Sequence, residues 1–182
     1  MRKMAFLSMA AIVLAIYSNV ALPKVVTWDY LMSDEALYHG HDPNLLKLNP
    51  LRYMYTVDLN GDDVNDLILS ESVSSSGTGG TSYDIYLGIG DQKYVQIYSL
   101  GANGFALEPC PGGMKRLWWY THSSSQSGSL WNIRFEGEYR YRVGEPLEIY
   151  PGDGGTAIGN AMLDAIFTEE SCLKRKEVKR KP

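Results

Sequence analysis

Between Asp58 and Asp66 the chain reads Asp-Leu-Asn-Gly-Asp-Asp-Val-Asn-Asp, with oxygen-bearing side chains at the first, third, fifth and ninth places. A hard cation such as calcium wants six to eight oxygens, and alternate residues of a tight loop supply them. Val64 stands at the seventh place, where a main-chain carbonyl serves, so its apolar side chain is no obstacle. Four carboxylates crowded into nine residues repel one another unless a cation sits among them. A metal-free Asn/Asp-Gly hairpin turn shares the same composition, since those residues dominate turns for conformational reasons alone. The stretch is not a full EF-hand loop. The twelfth place is Leu69 instead of a bidentate Glu, and the sixth is Asp63 instead of Gly. Aspartate enters the left-handed region needed there more readily than most residues, though less readily than glycine.

Together with Leu67-Ile68-Leu69, this loop resembles the Asp-x-Asn/Asp-Gly-Asp-Gly-x-x-Asp-Leu motif of FG-GAP and VCBS-type repeats, the calcium-binding blades of integrin-α-like propellers. The resemblance covers residues 53–87, about a fifth of the chain. It implies that Asp58, Asn60, Asp62, Val64 and Asp66 are the ligands of Ca2+ and that a strand follows at once. Asp63, where the motif has Gly, is the departure, and it bears on affinity.

Two stretches of the chain align on one another. Residues 66–69, 74–76, 82–87 and 90–91 are echoed by 116–119, 123–125, 129–135 and 137–138, with offsets falling from 50 to 47. A period near that length suits one strand-loop-strand unit, and two such units are too few to close a propeller. The expected fold is mainly β, a small α+β protein: an antiparallel sheet or sandwich of two blade-like hairpin units with one C-terminal helix. In the second unit the places of Asp58, Asn60, Asp62 and Asp66 fall on Glu108, Cys110, Gly112 and Arg116, which make no cation cage. Alternation and β-branched or aromatic content predict strands at 52–57, 66–71, 82–88, 93–98, 116–122, 129–135 and 139–143. Helical spacing of Ile158, Met162, Ala165 and Ile166 predicts a helix over 156–170, and a weaker one is expected over 33–38.

Arg2 and Lys3, a short apolar run over 4–16 and small or polar residues up to Ala21 read as a secretory signal peptide at 1–21. The protein is therefore expected to be exported, periplasmic or secreted. No apolar stretch is long enough to span a bilayer with ease, so no membrane span is expected. Residues 22–173 suffice for one domain with a real core. Cys110 and Cys172 are the only cysteines, and in an oxidising compartment they pair most simply as one disulfide. Residues 174–182 hold six basic residues against Glu177, whereas 22–173 hold nine against twenty acidic ones, net −11. A solvated, disordered basic tail is expected, with contact to anionic lipid or nucleic acid, or docking on the protein's own acidic body, as the sharper alternatives. The acidic body would repel a polyanion, which speaks against nucleic acid as a partner.

Other chemistry is sparse. His39 and His41 lie beside Asp42 without a third strong ligand, and His122 adjoins serines too close in sequence to serve it readily as a nucleophile. No nucleophile elbow, phosphate loop, dinucleotide fingerprint or zincin motif occurs. Trp118, Trp119 and Tyr120 stand in a row, so an alternating strand must turn at least one ring away from the core side. Such a ring would suit sugar stacking or a protein interface, while packing within strands accounts for most aromatics. The function expected is an exported, non-enzymatic, calcium-binding β module for a protein or glycan partner, with calcium as structural brace. A periplasmic inhibitor or immunity-type protein, offering the 72–81 loop to an exported enzyme, is the alternative from another class. A carboxylate-dependent hydrolase is the third, and nothing in the sequence picks its pair.

Overall fold

Nearly all the predicted alternation becomes strand. A computed structural model describes residues 24–33, 51–71, 80–124, 127–137, 140–149 and 157–179. The signal segment, the weaker helix after Ser33, His39, His41 and most of the 72–81 loop lie outside the described residues. The first sheet runs from edge to edge through Val25–Thr27 (β1), Lys93–Ala102 (β5), Thr81–Gly88 (β4), Asp66–Ser70 (β3), Leu51–Val57 (β2) and Lys176–Lys179 (β11). The second runs through Leu147–Ile149 (β10), Ser127–Phe135 (β8), Lys115–Ser124 (β7) and Gly104–Pro109 (β6), with Tyr141–Val143 (β9) also on β8. Every pairing is antiparallel. The two sheets form a half-barrel, a mainly β fold that among the described residues carries two α-helices, Trp28–Leu31 (α1) and Ala157–Ile166 (α2).

The internal repeat is visible in the pairing. Strands β2-β3-β4-β5 form one antiparallel meander and β6-β7-β8-β9 form another. Ile68 pairs with Ile85 where Trp118 pairs with Asn132, and Leu87 with Val95 where Arg134 pairs with Arg142. The partners are thus offset by the same 50 and 47 residues that align the two halves of the sequence.

Alternation then sorts side chains into three layers. Tyr55, Ile68, Tyr83, Ile85 and Leu87 meet Phe105, Leu117, Trp119, Ile133 and Phe135 between the sheets. On the outer face of the first sheet, Val26, Leu67, Leu69 and Tyr86 pack with Leu31 of α1. On the outer face of the second, Ala106, Trp118, Leu130 and Ile149 pack with Met162, Leu163 and Ile166 of α2 and with Phe167. Helix α2 lies so close to β10 that a Cβ on Gly159 would stand 2.1 Å from the Glu148 carbonyl oxygen. Ile158, expected on the buried face, is instead 74 % exposed.

Two expectations are corrected. The basic tail is not wholly disordered: Lys176–Lys179 is a strand on the outer edge of β2. Basic side chains do not prevent edge pairing, because the ladder is made by main-chain groups while lysines remain in water. The Cys110–Cys172 disulfide is not formed, and both thiols are free. Cys172 lies opposite Ala106, four residues before Cys110. At ~3.3 Å per strand residue that offset is far beyond the reach of a disulfide. In the Trp118-Trp119-Tyr120 row, Trp118 turns away from the inter-sheet core as alternation requires of at least one ring, and packing covers it: both tryptophans are 3 % accessible.

Candidate functional site

The loop joining β2 to β3 is wound by its own polar side chains. Asp58 accepts the Gly61 N–H at 2.8 Å on one oxygen and the Asp63 N–H at 3.3 Å on the other. Asn60 Oδ1 accepts from the Asp62 N–H at 3.3 Å, and Asp62 Oδ1 from the Val64 N–H at 2.8 Å. The Asn60 amide also donates to Asp62 Oδ2 at 2.9 Å. These are the local turns that short polar side chains make with backbone two to five residues ahead. Asp63 takes φ 63°, so the sixth place is left-handed as the calcium-loop pattern requires, and Gly61 takes φ 80°.

Asp66 behaves differently. It opens β3 with no accessible surface, and both oxygens reach distant backbone: Oδ2 accepts the Leu59 N–H at 2.7 Å and Oδ1 the Gly88 N–H at 2.8 Å. It therefore clamps the start of the loop to the end of β4. Gly88 is required for that approach, since a Cβ there would stand 2.4 Å from the Asn65 carbonyl oxygen. Burial raises the Asp66 carboxyl to about 7; the two N–H bonds pull the other way, and the charges of Asp62 and Asp58 add to the rise. Tyr94, on β5, is likewise raised by burial and by the charge of Asp66.

The equivalent loop of the second unit braces this one. Lys115 donates its N–H to the Leu59 carbonyl at 3.0 Å and its ammonium to the Asp58 carbonyl at 2.7 Å. A Cβ on Gly61 would meet the Gly113 carbonyl carbon at 2.9 Å, so the two loops touch backbone to backbone. A shallow cavity of about 210 Å3 lies between Val64 and Asn65 on one side and the β4–β5 turn on the other. That turn carries Asp91 at φ 50° and Gln92 at φ 56°.

The donor chemistry suits a hard cation: carboxylates, an amide oxygen and the Val64 carbonyl, with Lys115 directed to main chain and not to a carboxylate. Each carboxylate oxygen already accepting one N–H keeps a further lone pair. Among the described residues no three His, Cys, Asp or Glu gather as a metal-holding group. Asp58, Asn60, Asp62 and Val64 share the loop, and Asp66 forms its buried foot. Sequence reasoning missed Gly88 and Lys115. A glycine closing a predicted strand was the available signal for Gly88, whereas the contact of Lys115 spans 57 residues and has no local signal. Comparison with known protein families, with characterised proteins and with solved structures finds no match to this chain.

Proposed function

We propose that this chain is an exported, non-enzymatic β module in which the 58–66 loop takes one Ca2+ as a brace for binding a protein or glycan partner. Asp58, Asn60, Asp62, the Val64 carbonyl and Asp66 would hold the ion. Bound there, calcium supplies positive charge and oxygen cross-linking, which stiffen the junction between the two units. The observation that carries this reading is the run of oxygen-bearing residues at alternate places, Asp58, Asn60 and Asp62, on one loop that ends at Asp66. That loop is already wound left-handed at Gly61 and Asp63 and is pinned by the 110–114 loop. The partner face is the half-buried rim of Tyr98, Trp131 and Tyr141 between the sheets. There Trp131 stacks on Trp119 with centroids 6.1 Å apart, and the Tyr141 hydroxyl donates to the Ile97 carbonyl at 2.7 Å. Rings held rigidly in this way serve both sugar faces and protein interfaces.

Thermal melting in calcium and in chelator is the test. At about a hundredfold over Kd, calcium should stabilise the fold by roughly 2.7 kcal/mol. Asp62→Ala should abolish the gain, and Asp91→Ala, in the β4–β5 turn, should keep it. Melting curves of the wild type that coincide in calcium and in chelator would reject the proposal.

A further inference from the structure

Residues 171–179 fasten both sheets at once. Leu107 donates its N–H to the Ser171 carbonyl at 3.0 Å, Leu173 donates to the Phe105 carbonyl at 2.9 Å, and Cys172 bridges Ala106, so this segment covers the outer edge of β6. A few residues on, Lys176, Glu177, Val178 and Lys179 pair with Met54, Tyr53, Arg52 and Leu51 along the outer edge of β2. Between the two attachments Leu173 packs on the inter-sheet core, and the Arg175 guanidinium lies 3.8 Å from the Tyr53 ring centroid. Beneath them Tyr55, Tyr83 and Phe105 form an aromatic floor with centroids 5.0 to 5.9 Å apart. The rest of the fold thus builds a slot with two strand edges for walls and aromatic rings for a floor. The last described segment of the chain fills it.

We propose that this slot is a strand-docking surface that accepts residues 171–179 of a second copy of this chain, giving a reciprocal tail-exchanged dimer. The inference is independent of calcium. The ladder contacts, the Leu173 packing and the Arg175–Tyr53 contact are the same whether the segment comes from its own body or from another. Exchange of an identical element is therefore a low-cost route to a dimer. The segment is held mainly by main-chain pairing at two edges, the mode by which added strands dock on open sheets. Lys174, Arg175, Lys176, Glu177 and Lys179 are all exposed, so few apolar side chains tie it to its own body. Its charge favours any copy's body equally: 174–179 carries four basic residues and one acidic one, against a net −11 over 22–173. Such complementarity steers encounter and fades with salt. The stretch from Thr168 to Ser171, a turn closed by the Ser171 hydroxyl, is the hinge.

The wild-type chain, refolded from denaturant over a range of concentrations at low salt, is measured by light scattering. A species of doubled mass should grow with concentration. To locate the contact, Leu51→Cys and Lys179→Cys are combined with Cys110→Ser and Cys172→Ser, because residues 51 and 179 are direct partners in the ladder. Oxidation should give cross-linked monomer at low concentration and a covalent dimer, collapsing on reduction, at high concentration. Wild type that stays monomeric at every concentration overturns the proposal. So does a dimer whose 51–179 cross-link remains wholly intramolecular.

Discussion

Removing the titratable carboxyl of Asp66 should remove a loss of stability that the fold otherwise suffers as pH rises. In chelator, the carboxyl stands at about 7 in the folded protein against 3.8 for the free group, chiefly because it is buried. A group raised on folding favours the folded state only while it is protonated. Its contribution is complete below the unfolded value and disappears as pH rises through the folded one. At 1.36 kcal/mol per unit, the difference amounts to roughly 4 kcal/mol between about pH 4 and pH 8. Asp66→Asn removes the titration. It also turns an amide N–H toward the Leu59 or Gly88 N–H, leaving one buried donor unmet at a cost of about 1–3 kcal/mol that does not vary with pH. Urea unfolding of both proteins across that range isolates the effect as the stability of wild type minus that of the variant. The difference should fall steadily with rising pH. A flat or rising difference would mean that the Leu59 and Gly88 N–H groups hold Asp66 ionised, and the argument from burial would be refuted.

Three other outcomes follow from the geometry. Gly88→Ala forces a Cβ to within 2.4 Å of the Asn65 carbonyl oxygen and should lower stability by about 1–3 kcal/mol in chemical denaturation, with the loss centred on the Asp66 clamp. Arg52→Met removes the buried guanidinium that donates to the Ser70 and Leu31 carbonyls. It should cost about 2–4 kcal/mol and raise hydrogen exchange in Val25–Thr27 and Trp28–Leu31 before the rest of the sheet. Alkylation without reductant should add two labels to the purified chain by intact mass, one on Cys110 and one on Cys172.

Much of the fold is legible in the sequence because its signal is local. Alternation along 52–57, 82–88 and 129–135 follows from one sheet face meeting the core, and the 50-to-47 offset returned as a shared register. Three of the four missed strands carry no such signal. Gly104–Pro109 begins at glycine and ends at proline, Leu147–Ile149 is three residues long, and Lys-Glu-Val-Lys looks like a solvated tail until β2 offers its edge. Alternation requires at least one ring of Trp118, Trp119 and Tyr120 to leave the inter-sheet core; Trp118 does, and only tertiary packing with α2 shows that it is still covered. In the loop, the turn chemistry of Asp58, Asn60 and Asp62 lies within five residues and could be read directly. The grip of Asp66 on Gly88 spans 22 residues and depends on how β3 and β4 pair, which no spacing rule contains.

Calorimetric titration of calcium into the chelator-treated, full-length chain tests the central claim most directly. A single saturable site per chain, absent in Asp62→Ala and retained in Asp91→Ala, is the predicted result. Heats indistinguishable from dilution in the wild type, under conditions where it is folded, would contradict the account and leave the 58–66 loop a metal-free turn held by its own backbone.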